Sequence, residues 1–328
     1  MKHGGDLTEA IARHGGDPDS WLDLSTGINP WPWPIPQHLP EHAWQRLPSR
    51  AESEALLDAA RKAYGVPGGA GIAAAAGTQA LIQLLPYLAA PGPVAIVGPT
   101  YSEHALAWRH AGHPVIAIGD PAACPPGAVH AVVVSPNNPD GRVIDRAALT
   151  RIVPQLKERG GWLIVDEAFA DVDPAISAVA MRPDMPVVIL RSFGKFYGLA
   201  GLRLGFAIGA PGIIERIAEA LGPWPCSGPA LLIGTAALGD QPWADHMRGK
   251  LEQQARKLDQ VLAKAGFTMA GGTPLFRLAR HPHASKLHAA LAQRHIWCRS
   301  FDWADDLLRF GLPPDAAGLD RLAAALSD

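Results

Sequence analysis

Three short apolar runs, each closing on polar residues, constrain this chain more than anything else in it. Ala131-Val132-Val133-Val134 leads into Ser135-Pro136-Asn137-Asn138-Pro139-Asp140-Gly141. Trp162-Leu163-Ile164-Val165 leads into Asp166-Glu167-Ala168-Phe169, and Val187-Val188-Ile189-Leu190 into Arg191-Ser192-Phe193-Gly194-Lys195. Continuous β-branched runs bounded by turn residues read as buried strands. In an open parallel sheet such strand ends lie side by side at one edge, which is where ligands bind.

An amide (Asn138), a carboxylate (Asp166) and an amine (Lys195) are therefore predicted to meet at one sheet edge. Together they match the needs of pyridoxal 5'-phosphate. The lysine forms the Schiff base, the carboxylate pairs with the pyridinium nitrogen and keeps the ring an electron sink, and the amide bonds the ring oxygen. Ser192 and Arg203 can hold the phosphate. A lysine at a strand end is ordinarily a solvated surface residue. The company of Asn138 and Asp166 makes Lys195 a chemical candidate.

On the segments NNPDG, DEAF and SFGKFYGLAGLRLG, in this order, the chain resembles the fold-type I pyridoxal-phosphate enzymes, in the branch of histidinol-phosphate aminotransferase. The segments HGGDLTEA (His3 to Ala10) and LDLSTGINP (Leu22 to Pro30) resemble the threonine-phosphate decarboxylases of cobalamin biosynthesis within that branch. The resemblance spans essentially the whole chain. It implies an α/β fold: a large domain with a mostly parallel seven-stranded sheet, plus a smaller α+β domain. The boundaries expected from it are an arm over residues 1–45 that joins the small domain, a cofactor-binding domain over 46–243, and a small domain over 244–328.

Composition narrows the function classes. The chain has 328 residues, 48% hydrophobic and 18% charged, with a formal net charge of −2. These values describe a globular protein and give no reason to expect nucleic acid. The most apolar long window, Ala80 to Val97, contains Gln83 and the prolines Pro86, Pro91 and Pro93, so no membrane span is expected. MKHGGDLTEA has no apolar core of a signal peptide. Cys124, Cys226 and Cys298 lack CxxC spacing and read as free thiols in a reducing cytoplasm. His281-Pro282-His283 breaks helical spacing and has no partner cluster, so no metal is expected.

Along the chain, a helix is expected over Asp6 to His14. The arm Asn29-Pro-Trp-Pro-Trp-Pro-Ile-Pro follows and is extended, because each residue before a proline avoids helical space. Such a run can be a linker. The resemblance instead places the asparagine before the proline, Asn29, near the substrate. Ser53 to Tyr64 reads as an amphipathic helix with Leu56, Leu57, Ala60 and Ala63 on one face. Gly69 to Ala74 fits a GxGxxA pattern, but weakly, since no strand precedes it. The better phosphate site is Ala76-Gly77-Thr78-Gln79, opening the helix Ala80 to Leu88, where unsatisfied N–H groups and the helix dipole favour an anion. A plain N-cap by Thr78 fits the same pattern. By resemblance, Gly77, Thr78 and Gln79 hold the cofactor phosphate and the Tyr101 ring lies against the pyridine face.

Strands are read at Val94 to Val97 and Val115 to Ile118, with a helix between them from Ser102 to Ala111. An edge or antiparallel strand is read at Leu204 to Ile208. Helices follow over roughly 211–221, 228–239 and 244–265. The last part carries strands at Thr273 to Leu278, Ile296 to Arg299 and Leu307 to Phe310, with a helix near Ser285 to Arg294. Arg299 and Arg309 fall on short strands, where solvation of an edge would explain them. By resemblance, Arg309 grips the substrate carboxylate as a bidentate pair, Arg299 faces the substrate phosphate, and His3 is a further phosphate ligand.

What the resemblance implies for function is decarboxylation of L-threonine O-3-phosphate, with Lys195 and Asp166 as the catalytic pair, in a cytoplasmic homodimer. A histidinol-phosphate-type aminotransferase is the alternative within enzymes. A retained fold that only senses ligands is the alternative outside them, and a complete Asn138, Asp166 and Lys195 set is hard to explain there. Three departures from the family pattern stand out. Phe169 occupies the place of a usual tyrosine, Arg46-Leu47-Pro48 lacks the tyrosine that reaches a partner's phosphate, and Thr273-Pro274-Leu275-Phe276 lacks a common asparagine.

Overall fold

The computed structural model describes residues 4–327. Twelve strands among them are numbered in chain order: β1 (Leu22–Leu24), β2 (Gly71–Ala75), β3 (Val94–Val97), β4 (Val115–Ile118), β5 (His130–Val134) and β6 (Leu163–Asp166). Then follow β7 (Val187–Ser192), β8 (Gly205–Gly209), β9 (Thr268–Thr273), β10 (Phe276–Arg280), β11 (Ile296–Phe301) and β12 (Ala304–Gly311). The chain divides into two units. One holds the described residues through Pro32, with Pro139–Gly141 and the chain from Asp245 onward; the other holds Trp33–Asn138 and Arg142–Ala244. Residues 33–45, expected with the arm, fall in the larger unit. Trp33 explains this: its N–H donates to the Tyr197 carbonyl at 2.9 Å and its indole to Asp240 at 3.0 Å.

The larger unit is built on a seven-stranded sheet of order β2-β8-β7-β6-β5-β3-β4. β7, β6, β5, β3 and β4 are parallel neighbours, while β8 runs antiparallel to both β7 and β2. β5, β6 and β7 are buried at every residue, which is why they read as unbroken apolar runs rather than alternating ones. One core cluster joins Val132, Ile164, Val188 and Leu190 of these strands to Leu81, Leu85 and Trp108 of the flanking helices. Each such side chain contributes about 1.5–3 kcal/mol of burial. The helix Arg50–Tyr64 is fixed at both ends. Ser49 and Glu52 form a capping box, and Gly65 closes the helix in the left-handed region at φ 62°, as the sequence pattern Ser-x-x-Glu … Gly dictates.

Gly71–Ala75, where the sequence offers only a weak GxGxxA pattern, is strand β2, paired along its length with β8; alanine has little strand preference of its own, and the pairing supplies what composition lacks. One reading needs correction. The segment Thr273 to Leu278, taken as one strand, is the meeting of two. β9 ends at Thr273, β10 begins at Phe276, and the Leu275 N–H donates to Thr273 Oγ1 at 3.1 Å in the turn.

His130 locks β5 to its surroundings. Its Nε2–H donates to the Ala90 carbonyl at 2.7 Å and its Nδ1 accepts the Trp162 N–H at 3.1 Å. Protonation of Nδ1 would set a donor against a donor, and burial already pushes the imidazole pKa down to about 4. The unfolded chain binds this proton near pH 6.5, so between about pH 6.5 and 4 it holds more protons than the folded chain and stability falls as pH drops. We expect His130 to account for about 2–3 kcal/mol of that loss. Urea midpoints at pH 4.5, 5.5 and 6.5 should fall less steeply for His130→Gln than for the native chain; parallel curves would refute this.

The smaller unit is a five-stranded sheet of order β1-β11-β12-β10-β9, with β1 parallel to β11 and the other pairs antiparallel. No helix among the described residues is long and apolar enough to cross a membrane.

Candidate active site

The edge predicted from the three apolar runs exists. Val134, Asp166 and Leu190 are register partners across β5, β6 and β7, so the segments that follow them leave the sheet at one level. β3 and β5 are adjacent, yet the chain leaves β3 toward β4 and β5 toward β6. The order thus switches direction between them, the place where open α/β sheets bind ligands. Thr100 and Asn137 tie the two exits together: the Thr100 hydroxyl donates to Asn137 Oδ1 at 2.6 Å and Asn137 Nδ2 to the Pro99 carbonyl at 3.0 Å. Asn137 is buried in this task, and half-buried Asn138 follows it.

Asp166 ends β6 and is 3% exposed. Its Oδ1 accepts the Ala168 N–H at 3.0 Å, and its Oδ2 lies 2.8 Å from His104 Nε2. An ionised carboxylate only accepts, so the His104 nitrogen carries the proton. The sequence reading treated Ser102 to Ala111 only as a connecting helix and missed His104. The available signal was a histidine three positions after Tyr101, one turn into the helix Ser102–His110.

Tyr101 precedes the same helix. Its hydroxyl donates to Gln79 Oε1 at 3.2 Å, and Gln79 Nε2 donates to Glu103 at 3.1 Å. Burial, then Glu103 and Asp166, push the Tyr101 pKa up to about 12, so the phenol stays protonated. The Gln79 side chain is thus engaged by Tyr101 and Glu103.

The helix Thr78–Leu88 starts at Gly77, whose φ of 84° favours glycine. A Cβ there would meet Arg203 Nη2 at 2.6 Å. The Arg203 guanidinium therefore lies against Gly77, at the end of the helix where N–H groups point outward. Arg203 itself sits in the left-handed region at φ 55° and donates to the Ala200 carbonyl at 3.1 Å. A non-glycine residue held there carries strain of about 1–3 kcal/mol, a mark common at functional sites. β2 and β8 bring these parts together, since Ala75 pairs with Gly205. A helix start, a guanidinium and the Ser192 hydroxyl at the end of β7 make a donor set that fits a phosphate monoester.

Lys195 lies in the short helix Phe193–Phe196 after β7. The turn is braced on one side by stacked rings: Phe193 on Tyr197 at 4.4 Å and Tyr197 on Trp243 at 5.5 Å. On the other it is so close to Ala200 that a Cβ on Gly194 would come within 2.7 Å of the Ala200 Cα. Behind this edge is a charged cluster that the sequence reading also missed. Arg191 bonds Glu167 at 2.9 Å and Asp171 at 2.5 Å, and its guanidinium lies 4.4 Å from the Tyr64 ring centre. Burial pushes the Glu167 pKa up against the pull of Arg191.

The remaining candidates belong to the smaller unit. Arg299 and Arg309 are register partners on β11 and β12. Arg309 is 7% exposed, and its Nη2 donates to the Ser25 carbonyl at 2.6 Å. Burial, then Arg299, push its pKa down to about 10, against the pull of Asp23. Burial also lowers that of Arg299. Like charges directly opposite on paired strands destabilise a sheet unless an anion joins them. Asn29 is buried, and its Oδ1 accepts the Trp31 N–H at 2.9 Å, which turns the chain into the proline arm. His3 lies outside the described residues.

The sequence model of the family "Aminotransferase class I and II" matches residues 42–326. The chain belongs to this family. Among its curated relatives, the aminotransferase-family chain is 46% identical over 327 residues to a threonine-phosphate decarboxylase of a Sinorhizobium species, covering 99% of this chain and 97% of that one. It is 44% identical over 328 residues to the threonine-phosphate decarboxylase of Pseudomonas aeruginosa, with the same coverage. Among solved structures, the histidinol-phosphate aminotransferase from Clostridium acetobutylicum superposes with a TM-score of 0.81 at 22% identity, over 93% of this chain and 98% of that one. The L-threonine-O-3-phosphate decarboxylase from Porphyromonas gingivalis gives 0.74 at 20% identity, with the same coverage. At these identities the superpositions establish the shared aminotransferase fold, and the fold class expected from the sequence holds.

Proposed function

We propose that this chain is a pyridoxal 5'-phosphate-dependent lyase that decarboxylates L-threonine O-3-phosphate to (R)-1-aminopropan-2-yl phosphate, in the aminopropanol arm of cobalamin biosynthesis. The reading is carried by one observation: Asn138, Asp166 and the Ser192–Lys195 turn leave neighbouring parallel strands at one edge, in a chain whose full-length relatives are named threonine-phosphate decarboxylases.

When bound, the cofactor supplies an electron sink for the charge left at Cα as CO2 departs. Lys195 would anchor it through its amine and return a proton to Cα afterwards. Asp166, held by His104 and the Ala168 N–H, would keep the ring nitrogen protonated. Gly77, Thr78, Gln79, Ser192 and Arg203 would hold its phosphate, Asn138 its ring oxygen, and Tyr101 would lie along the ring. Arg309 would take the substrate carboxylate and Arg299 would face the substrate phosphate, with His3 a further phosphate ligand and Asn29 near the substrate. Which bond at Cα breaks depends on which one stands perpendicular to the ring, so the arginines that orient the carboxylate set the outcome. The test is CO2 release from carboxyl-labelled L-threonine O-3-phosphate with no keto acid added. We expect stoichiometric release. No release, with amino transfer appearing once 2-oxoglutarate is supplied, would make the protein an aminotransferase.

Phe169, buried two positions beyond Glu167, has no hydroxyl to offer the ring oxygen. A hydroxyl that donates to the ring oxygen stabilises the deprotonated, anionic form and so lowers the pKa. Phe169→Tyr is therefore expected to lower the pKa of the visible cofactor band by about one unit. Coincident spectral titrations of the native and variant proteins would rule this out.

We further propose a homodimer working in the cytoplasm. Trp44, Leu47 and Trp224 are 68%, 67% and 53% exposed, and the Trp224 indole donates to the Pro48 carbonyl at 3.1 Å, next to Leu47. This apolar group suits burial against a second copy. The thiols Cys124, Cys226 and Cys298 are unpaired, as a reducing compartment favours.

A further inference from the structure

The motif Leu22-Asp23-Leu24-Ser25-Thr26-Gly27 is built around an acid that the proposed mechanism leaves unused. Asp23 sits in the edge strand β1, opposite Trp297 of β11. Its Oδ1 accepts both donors of one residue, the Ser25 N–H at 2.8 Å and the Ser25 hydroxyl at 2.6 Å. Ser25 is 1% exposed. Its hydroxyl oxygen also accepts the Gly5 N–H at 2.8 Å, and its carbonyl accepts Arg309 Nη2 at 2.6 Å. Backbone packs too tightly for side chains at this carbonyl and at the next one along the chain. A Cβ on Gly4 would stand 2.4 Å from the Ser25 oxygen, and one on Gly311 would stand 2.2 Å from the Thr26 oxygen.

The direction of these bonds decides what the turn does. Asp23 saturates the donors of Ser25 and leaves its carbonyl as the group that meets the guanidinium. A carbonyl held on a rigid turn fixes one nitrogen of Arg309 in place. The planar fork then has one orientation for its other donors. Asp23 also brings a negative charge to a sheet in which Arg299 and Arg309 face each other directly.

We propose that Asp23 is a positioning residue for substrate binding, acting through Ser25 to set the Arg309 guanidinium and to balance the Arg299–Arg309 pair. This rests on the reading of Arg309 as the arginine that takes a substrate carboxylate. The same linkage accounts for the glycines of the amino-terminal HGG segment: Gly4 and Gly5 pack on the serine that Asp23 holds.

The experiment uses the full-length holoenzyme and two probes, L-threonine O-3-phosphate and L-glutamate. Their affinities are read from the change in the visible cofactor band, and CO2 release is followed separately. Asp23→Asn keeps an oxygen for the Ser25 donors and removes the charge; Ser25→Ala removes the hydroxyl and keeps the carbonyl. Each is expected to weaken L-threonine O-3-phosphate binding about tenfold, to raise KM with little change in kcat, and to leave the thermal midpoint within about 3 °C. In a cycle with Arg309→Lys, the Asp23→Asn effect should largely vanish, since the acid acts through that arginine. Full additivity of the two substitutions would overturn the proposal, as would an unchanged affinity in Asp23→Asn. If the native protein binds a probe but releases no CO2, the decarboxylase reading fails, while the affinities still decide the role of Asp23. If Arg309→Lys binds both probes as tightly as the native protein, the proposal fails whatever the reaction is.

Discussion

Replacing Lys195 by alanine is expected to lower CO2 release from L-threonine O-3-phosphate by about 10³-fold or more, with cofactor in excess. The magnitude follows from the two tasks proposed for one amine, covalent anchoring and proton return to Cα. The turn that carries it is rigid, and Lys157, the one other lysine between β5 and Phe196, lies near the far end of the helix Arg146–Glu158 and not at a strand exit. The backbone does not depend on this side chain. Phe193, Tyr197 and Trp243 stack regardless of it, so the variant should fold and retain its thermal midpoint. Borohydride reduction separates anchoring from simple binding: the cofactor should become fixed to the native chain and not to the variant. A residual rate within tenfold of native would remove Lys195 from the mechanism.

Arg191→Met should be the most destabilising single change at this edge. Arg191 is 2% exposed and bonds two carboxylates, Glu167 and Asp171, that are 1% and 4% exposed. Methionine fills much of the volume but leaves both acids buried without their cation. Removing one partner of a buried ion pair costs about 3–5 kcal/mol, which for a chain of this size lowers the thermal midpoint by roughly 10 °C. Glu167→Gln makes the contrast. It leaves Arg191 with Asp171 as a neutral pair and still offers one oxygen to the donors from Ser177 and Ala178. Its cost should be about 1–2 kcal/mol. Calorimetric midpoints decide: equal losses for the two variants would show that charge balance is not what the cluster provides. Arg191 precedes Ser192 and Glu167 follows Asp166, so Arg191→Met should also retain less cofactor after dialysis.

What the sequence made legible and what it hid follow from one physical difference. β5, β6 and β7 announce themselves because strands covered on both faces must be apolar throughout, and their polar exits then locate the site without any knowledge of partners. β2 was hidden because Gly-Ile-Ala-Ala-Ala becomes a strand only by pairing with β8. The β9–β10 turn was hidden because Thr273-Pro274-Leu275-Phe276 is apolar enough to continue a strand. His104, Glu103 and Arg191 were hidden for another reason. Each acts on a residue distant in sequence, His104 on Asp166 and Arg191 on Glu167, and periodicity carries no trace of such pairings. Asn29 was legible as the start of the arm, but its bond to the Trp31 N–H belongs to the turn itself.

The pairing of Ala75 with Gly205 has a consequence for how the cofactor pocket comes into being. Gly77 leaves one of these strands and Arg203 enters the other, so the two sides of the proposed phosphate cradle are supplied by early and late parts of the chain. Contacts between such distant segments carry a high loop-closure cost and form late in folding. A growing chain that has already emerged through Gly77 therefore has half a cradle. The other half arrives only when β8 has been made and has slotted in, reversed, between β2 and β7. Cofactor capture at the proposed cradle is therefore expected to be a closing event of folding, not a nucleus for it.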